Sequence, residues 1–229
     1  MPRLRDAHYV SALNHGYKII PEDLADAGLN TKTGGNHWFV DGNKTNSGDG
    51  KDADGAFKTI AEAITASQAY DVIHIFPKKI TDYTGDPSSY EENLTIPFTK
   101  PGLVLLGESR GLTQGGLPQL KDGATTTQHI LRVRAPGCLI ANLGFNGSGN
   151  TGGGILLDDD YATKSAFGTT ITGCHFKNCK GTTATNALTG GAINWPSAGN
   201  AWQVKIIGNQ FYRNVGDIVL PGKIGRAHV

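Results

Sequence analysis

The sequence predicts an all-β fold built as a solenoid of stacked coils. Three observations lead there. Glycine supplies 32 of the 229 residues, about twice its usual share, so the chain turns often. Beyond Tyr70, short apolar runs alternate with Gly, Asn, Pro and Thr clusters. No helical spacing separates those runs, which argues against a doubly wound α/β sheet. Finally, Ile140-Ala-Asn-Leu-Gly-Phe145, Ile171-Thr-Gly-Cys-His-Phe176 and Ile206-Ile-Gly-Asn-Gln-Phe211 align without gaps at spacings of 31 and 35 residues. Asn178 and Asn214 extend the match beyond the last two Phe. Each repeat reads as part of one coil. Ile points inward from a strand, Gly or Asn turns the corner, and Phe opens the next wall. Antiparallel hairpins would ask for recurring Asn-Gly turns, and Asn146-Gly147 does not recur.

The elements follow in order. Residues 1–36 are a polar leader, in which Pro21 to Gly28 reads as a short helix. Pro suits its first position, Glu22 and Asp23 its positive end, and Gly28 its stop. His37 to Asp41 reads as a strand, and Gly42 to Gly55 as a loop. Phe57, Ile60, Ala61 and Ile64 lie on one face of a helix expected over 56–66. Strands are then expected at Val72–Phe76, Leu94–Ile96, Leu103–Leu106, Ile130–Arg134, Cys138–Ile140, Ile155–Leu157, Thr169–Ile171, Val204–Ile207 and Ile218–Leu220.

Composition excludes several classes. Leu, Ile, Val and Phe together number 52, about 23 % of the chain, enough for a core. Glycine has no every-third-residue register, so the chain is not collagen-like. No apolar run approaches a membrane span, so no membrane partner is expected. A net charge of +1 argues against nucleic acid bound through bulk charge. Cys138, Cys174 and Cys179 form no CxxC pair and read as small wall residues, so no metal ligands are assigned. The first six residues carry charge with no apolar stretch behind them, and a secretory signal is not expected.

The segment Trp38-Phe-Val-Asp-Gly, the acidic glycine loop after it, Ala56 to Ile64 and Asp71-Val-Ile-His-Ile-Phe-Pro77 resemble the opening of the right-handed parallel β-helix, or pectin-lyase-like, superfamily. Glu92 to Ile96 and Gly102 to Glu108 resemble its first two coils. The resemblance covers roughly residues 37–222. It implies a single-stranded right-handed parallel β-helix with a leading strand and an N-terminal capping helix. The superfamily holds polysaccharide lyases, glycoside hydrolases, pectin methylesterases and phage tailspikes, so fold does not assign chemistry. The favoured expectation is a tailspike-like, virion-associated phage protein that meets cell-surface polysaccharide, with a homotrimer or a virion docking partner. One alternative is a lyase or hydrolase, secreted, whose catalytic coils are partly missing. A purely structural solenoid is the other.

The last seven residues, Lys223 to Val229, can be encoded by AAGATCGGAAGAGCACACGTC, which contains the start of a common sequencing adapter. Residues 223–229 are therefore expected to be non-native, and the β-helix to be C-terminally truncated.

Candidate chemistry is sparse. Asp158, Asp159 and Asp160 are the densest acid cluster and the candidate catalytic residues, since adjacent carboxylates push their pKa values apart. No Asp or Glu stands at the matching place one coil on. Asp86, Glu91 and Glu92 are the other acids that long loops could bring near Arg132 and Arg134. Arg132 and Arg134 alternate with Leu131 and Val133, so both point outward, where guanidinium groups grip uronate or sulfate bidentately. Arg110 follows the Gly107 corner. Trp195 and Trp202 flank a loop and offer faces either to sugar rings or to the wall. His175 reads as a structural histidine. No cofactor is assigned. Calcium is the ion that the alternating oxygens of Asp41 to Asp52 would admit, although that loop lacks the central Gly and final Glu of a calcium loop.

Overall fold

The computed structural model describes residues 35–79, 88–109, 116–123, 128–147, 153–161, 164–180, 191–195 and 203–219, with the backbone alone at 159–161 and 164–165. The helix expected over 21–28, together with Asp86, Arg110, Trp202 and the tail 223–229, lies outside the described residues.

Strand β1 (His37–Val40) and helix α1 (Ile60–Ala66) precede five three-strand coils. The first coil is β2 (Val72–Ile75), β3 (Ser89–Glu91) and β4 (Leu94–Ile96); the second is β5 (Val104–Gly107), β6 (Gln119–Lys121) and β7 (Leu131–Val133). The third is β8 (Leu139–Ala141), β9 (Gly144–Asn146) and β10 (Ile155–Leu157). A hairpin of β11 (Asp159–Tyr161) and β12 (Lys164–Ser165) then interrupts the winding. The fourth coil is β13 (Thr170–Thr172), β14 (His175–Lys177) and β15 (Ile193–Asn194), and the fifth is β16 (Lys205–Ile207), β17 (Gln210–Tyr212) and β18 (Ile218–Val219).

Each strand pairs in parallel with its counterpart one coil away. This yields three sheets, ordered β1-β2-β5-β8-β13-β16, β3-β6-β9-β14-β17 and β4-β7-β10-β15-β18. The fold is thus an all-β parallel solenoid. Its register aligns Ile73, Leu105, Ile140, Ile171 and Ile206 in one ladder. Tyr90, Leu120, Phe145, Phe176 and Phe211 form a second. The rings of Phe145, Phe176 and Phe211 stack with centroids 4.9 and 5.3 Å apart. In the third sheet Leu94 and Ile96 sit over Leu131 and Val133, and these over Ile155 and Leu157. All are buried except Ile206 and Phe211 of the last coil, which are half-buried. The triple repeat therefore marks both ladders and the corner between them.

That corner is left-handed backbone. Asn142, Gly173 and Gly208 stand at φ 55°, 62° and 63°, a region that Gly and Asn enter at least cost. Asn209, one position beyond the last of them, takes the Cys174 amide on its Oδ1 at 2.9 Å and gives its Nδ2 hydrogen to the Ile171 carbonyl at 2.9 Å. Asn214 does the same one corner later with Cys179 and Phe176. Asn178 and Asn214 are not equivalent: Asn178 itself turns, at φ 54°, and its counterpart in the next coil is Arg213, at φ 53°.

Helix α1 starts at Ile60, four residues later than expected. Phe57 is held extended against β1, donating its amide to the Phe39 carbonyl and accepting from the Asp41 amide, both at 2.8 Å. Thr59 then caps the helix, its hydroxyl taking the Glu62 amide while the Glu62 carboxylate takes the Thr59 amide. Ile60, Ala63 and Ile64 are buried in the same core as Val40, Ile73, Leu94 and Ile96. Glu92 fastens the helix start, accepting from the Ile60 and Ala61 amides at 3.0 and 2.8 Å. Burial nevertheless pushes its carboxyl above the ordinary range. The Lys100 ammonium donates to the carbonyls of Ile64, Thr65 and Ser67 at the other end.

The three thiols are buried, unbridged wall residues, and burial pushes each up to about 12. Ile171 has neighbours of its own ladder on both sides. Ile171→Ala is expected to cost about 2–5 kcal/mol in denaturant unfolding, against under about 1 kcal/mol for a surface change such as Lys205→Ala.

Candidate functional site: the outer wall at Arg132

Strand alternation decides which side chains of β7 meet solvent. Leu131 and Val133 are fully buried, and Arg132 between them points out. Arg134 follows, its amide given to the Ile96 carbonyl at 3.0 Å. Since Leu157 pairs with Val133, the next residue, Asp158, comes to lie beside Arg134. Its amide donates to the Val133 carbonyl at 2.9 Å. Residues 24 and 26 positions apart in sequence thereby become neighbours.

Both guanidinium groups converge on Asp158 Oδ2. Arg132 reaches it through Nε and Nη2, and Arg134 through Nε at 3.2 Å. The Asp158 side chain is 8 % exposed, whereas Arg132 and Arg134 remain 41 % and 26 % exposed. A sunken carboxylate thus holds two guanidinium groups at the surface. The two guanidinium groups share one carboxylate oxygen. The shared oxygen is committed to ion pairs rather than offered to a substrate.

His129 stands two residues before β7 and is 7 % exposed. Its ring lies against Gly153 of the next coil, where an added Cβ would come within 2.6 Å of the imidazole. Its Nε2 has no hydrogen-bond partner among the described residues. Burial, reinforced by the Arg132 charge and opposed by that of Asp158, holds the imidazole down at about 4. The ring is therefore neutral at pH 7. No motif or spacing marks His129, because Gly153, reached through the winding, is what encloses it.

The other candidates are distributed elsewhere. Asp159 and Asp160 belong to β11, where Asp159 pairs with Ser165. Glu91 pairs with Lys121 at 3.2 Å, and Glu92 is spent on α1. Neither reaches the arginines by any contact among the described residues. Trp195 is half-buried and packs against the core, its amide given to the Val219 carbonyl at 3.1 Å. In the acidic loop, Asp41 Oδ1 takes the Asn43 amide, Asp49 Oδ1 that of Lys51 and Asp52 Oδ1 that of Gly55. Those oxygens fold the loop on itself. His175 is buried within β14.

Comparison with family models, curated proteins and solved structures finds no match. The stacked parallel sheets are compatible with a β-helix-like fold.

The buried imidazole has a pH signature. The unfolded chain binds a proton at His129 below about 6.5, the folded chain not until about 4. The unfolded state thus holds more protons between those values. Stability from this group is complete above pH 6.5 and is lost as pH falls toward 4, by about 3 kcal/mol in all. Denaturant titrations across that window are expected to show this slope in the natural chain and a flatter one in His129→Gln.

Proposed function

We propose that this chain is a right-handed β-helix of the pectin-lyase-like kind, with α1 covering the first coil, and that its outer wall binds acidic cell-surface polysaccharide without cleaving it. One observation carries the reading: Arg132 and Arg134 stand side by side on the wall, oriented by a carboxylate beneath them. Guanidinium groups so fixed lose little freedom on binding and present paired donors to a uronate or sulfate group. The same carboxylate is the member of the acid cluster that lies against the wall, and its shared oxygen is occupied. That supports binding over hydrolysis, which needs two available carboxyls. The virion setting, with a homotrimer or a docking partner, follows from the tailspike likeness and rests on it alone. Burial of Ile60, Ala63 and Ile64 in the core supports the capping role of α1.

Affinity electrophoresis in gels containing polygalacturonate, sulfated dextran or neutral dextran tests this. Retardation by the two acidic polymers, weakened by salt, is expected. Replacing either arginine with Gln should lower affinity about tenfold, the loss of one charge-assisted contact. Equal retardation by neutral dextran would overturn the reading. So would turnover of any of these polymers that disappears in Asp160→Ala.

A further inference from the structure

A second constellation lies on the outer face of the first sheet, away from the arginines. His37 begins β1, His74 is in β2, and Glu108 follows β5 directly. Three neighbouring strands thus bring together residues 34 and 37 positions apart. Glu108 Oε1 lies 2.5 Å from His74 Nδ1, and His74 Nε2 lies 2.7 Å from His37 Nδ1. A carboxylate only accepts, so Nδ1 of His74 carries a proton, and when that ring is neutral its Nε2 is the acceptor toward His37 Nδ1. The two imidazole centroids are 5.0 Å apart with planes within 19°. At that separation a 2.7 Å nitrogen contact requires both nitrogens to lie on the line between the rings. Phe39, two residues after His37 on β1 and paired with His74, lies against the same imidazole, its ring centroid 4.9 Å away with planes 13° apart.

We propose that His37 and His74 form a binding site for a divalent late first-row transition ion, zinc or copper, with Glu108 orienting His74 from behind. A carboxylate on the far nitrogen of a histidine is the arrangement that sets the tautomer of a metal-ligating imidazole and raises its basicity. Imidazole nitrogen suits these ions over calcium or magnesium. Two nitrogens on one tetrahedral zinc stand about 3.3 Å apart with their lone pairs converging on the ion, so the present contact must open by roughly 0.6 Å and the His37 ring must turn away from its head-on approach to His74. His37 is exposed and at the start of its strand, and can swing that far without disturbing the core. When the ion takes His37 Nδ1, the proton there shifts by way of solvent to His37 Nε2, so the imidazole binds as a neutral ligand and no net proton is lost. Among the described residues no three His, Cys, Asp or Glu side chains converge on one point. The protein therefore supplies two ligands, and the remaining positions are left to water or to a carboxylate-bearing ligand. This site does not depend on the polysaccharide reading.

The test is isothermal titration of the untagged full chain with zinc, and nitrogen hyperfine coupling in the electron paramagnetic resonance spectrum of added copper. His37→Gln and His74→Gln should each remove one equivalent of bound zinc and the two-imidazole copper signal. Glu108→Gln should retain the site but weaken it about 10- to 100-fold. Far-UV circular dichroism checks that each variant is folded. His37→Gln, at an exposed strand start, carries the test if His74→Gln does not fold. Zinc stoichiometry and copper spectra unchanged in His37→Gln would overturn the proposal, showing the pair to be a hydrogen-bonded clasp between β1 and β2.

Discussion

Every coil has to turn at the same places as its neighbours, and the rest of the molecule depends on that constraint. Parallel strands exchange their hydrogen bonds with the coils before and after, so no coil closes its own ladder. A turn displaced by one residue would send an inward ladder to solvent. Left-handed backbone two residues before the first strand of each coil holds the register. Tyr70, Gly102, Gly137, Gly168 and Gln203 occupy that position at φ between 54° and 69°. The column is stitched from coil to coil, with Tyr70, Gly102 and Gly137 donating their amides to the carbonyls of Pro101, Pro136 and Phe167. Gly102 is needed here for space as well as torsion, since a Cβ would come within 2.3 Å of the Tyr70 ring.

Once the turns agree, side chains repeat in register and reinforce it. The aromatic ladder gains ring stacking beyond area burial. Asn209 and Asn214 use their amides as spare backbone groups, one donor and one acceptor each, where the chain bends away from its neighbour. Such bonds are worth about 1 kcal/mol apiece, but a buried amide or carbonyl left unmet at those bends would cost more.

The acidic residues with resolved partners act largely as fasteners. Asp71, almost wholly buried, accepts from the amides of Asn36 and Gln68 and from the Trp38 indole at 2.6, 2.7 and 2.8 Å. Glu92 holds the start of α1, and Asp158 holds two arginines. Each takes a carboxylate out of water and repays the desolvation with several directed donors.

Much of the solenoid was legible in the sequence, for a local reason. From β8 onward the first- and second-sheet strands are separated by two residues alone, Asn142–Leu143, Gly173–Cys174 and Gly208–Asn209. Ile, corner and Phe then recur at fixed distance and read directly. In the first two coils that link is longer, and β3 and β6 went unread, being three residues long with polar members. The start of α1 was misplaced because the partner that keeps Phe57 extended, Val40, lies 17 residues earlier. The outward direction of Arg132 and Arg134 needed strand alternation alone. Their meeting with Asp158, the enclosure of His129 by Gly153, and the alignment of His37, His74 and Glu108 needed the inter-coil register. The turns hold that register, and loops of unequal length decide how far apart in sequence the facing residues lie.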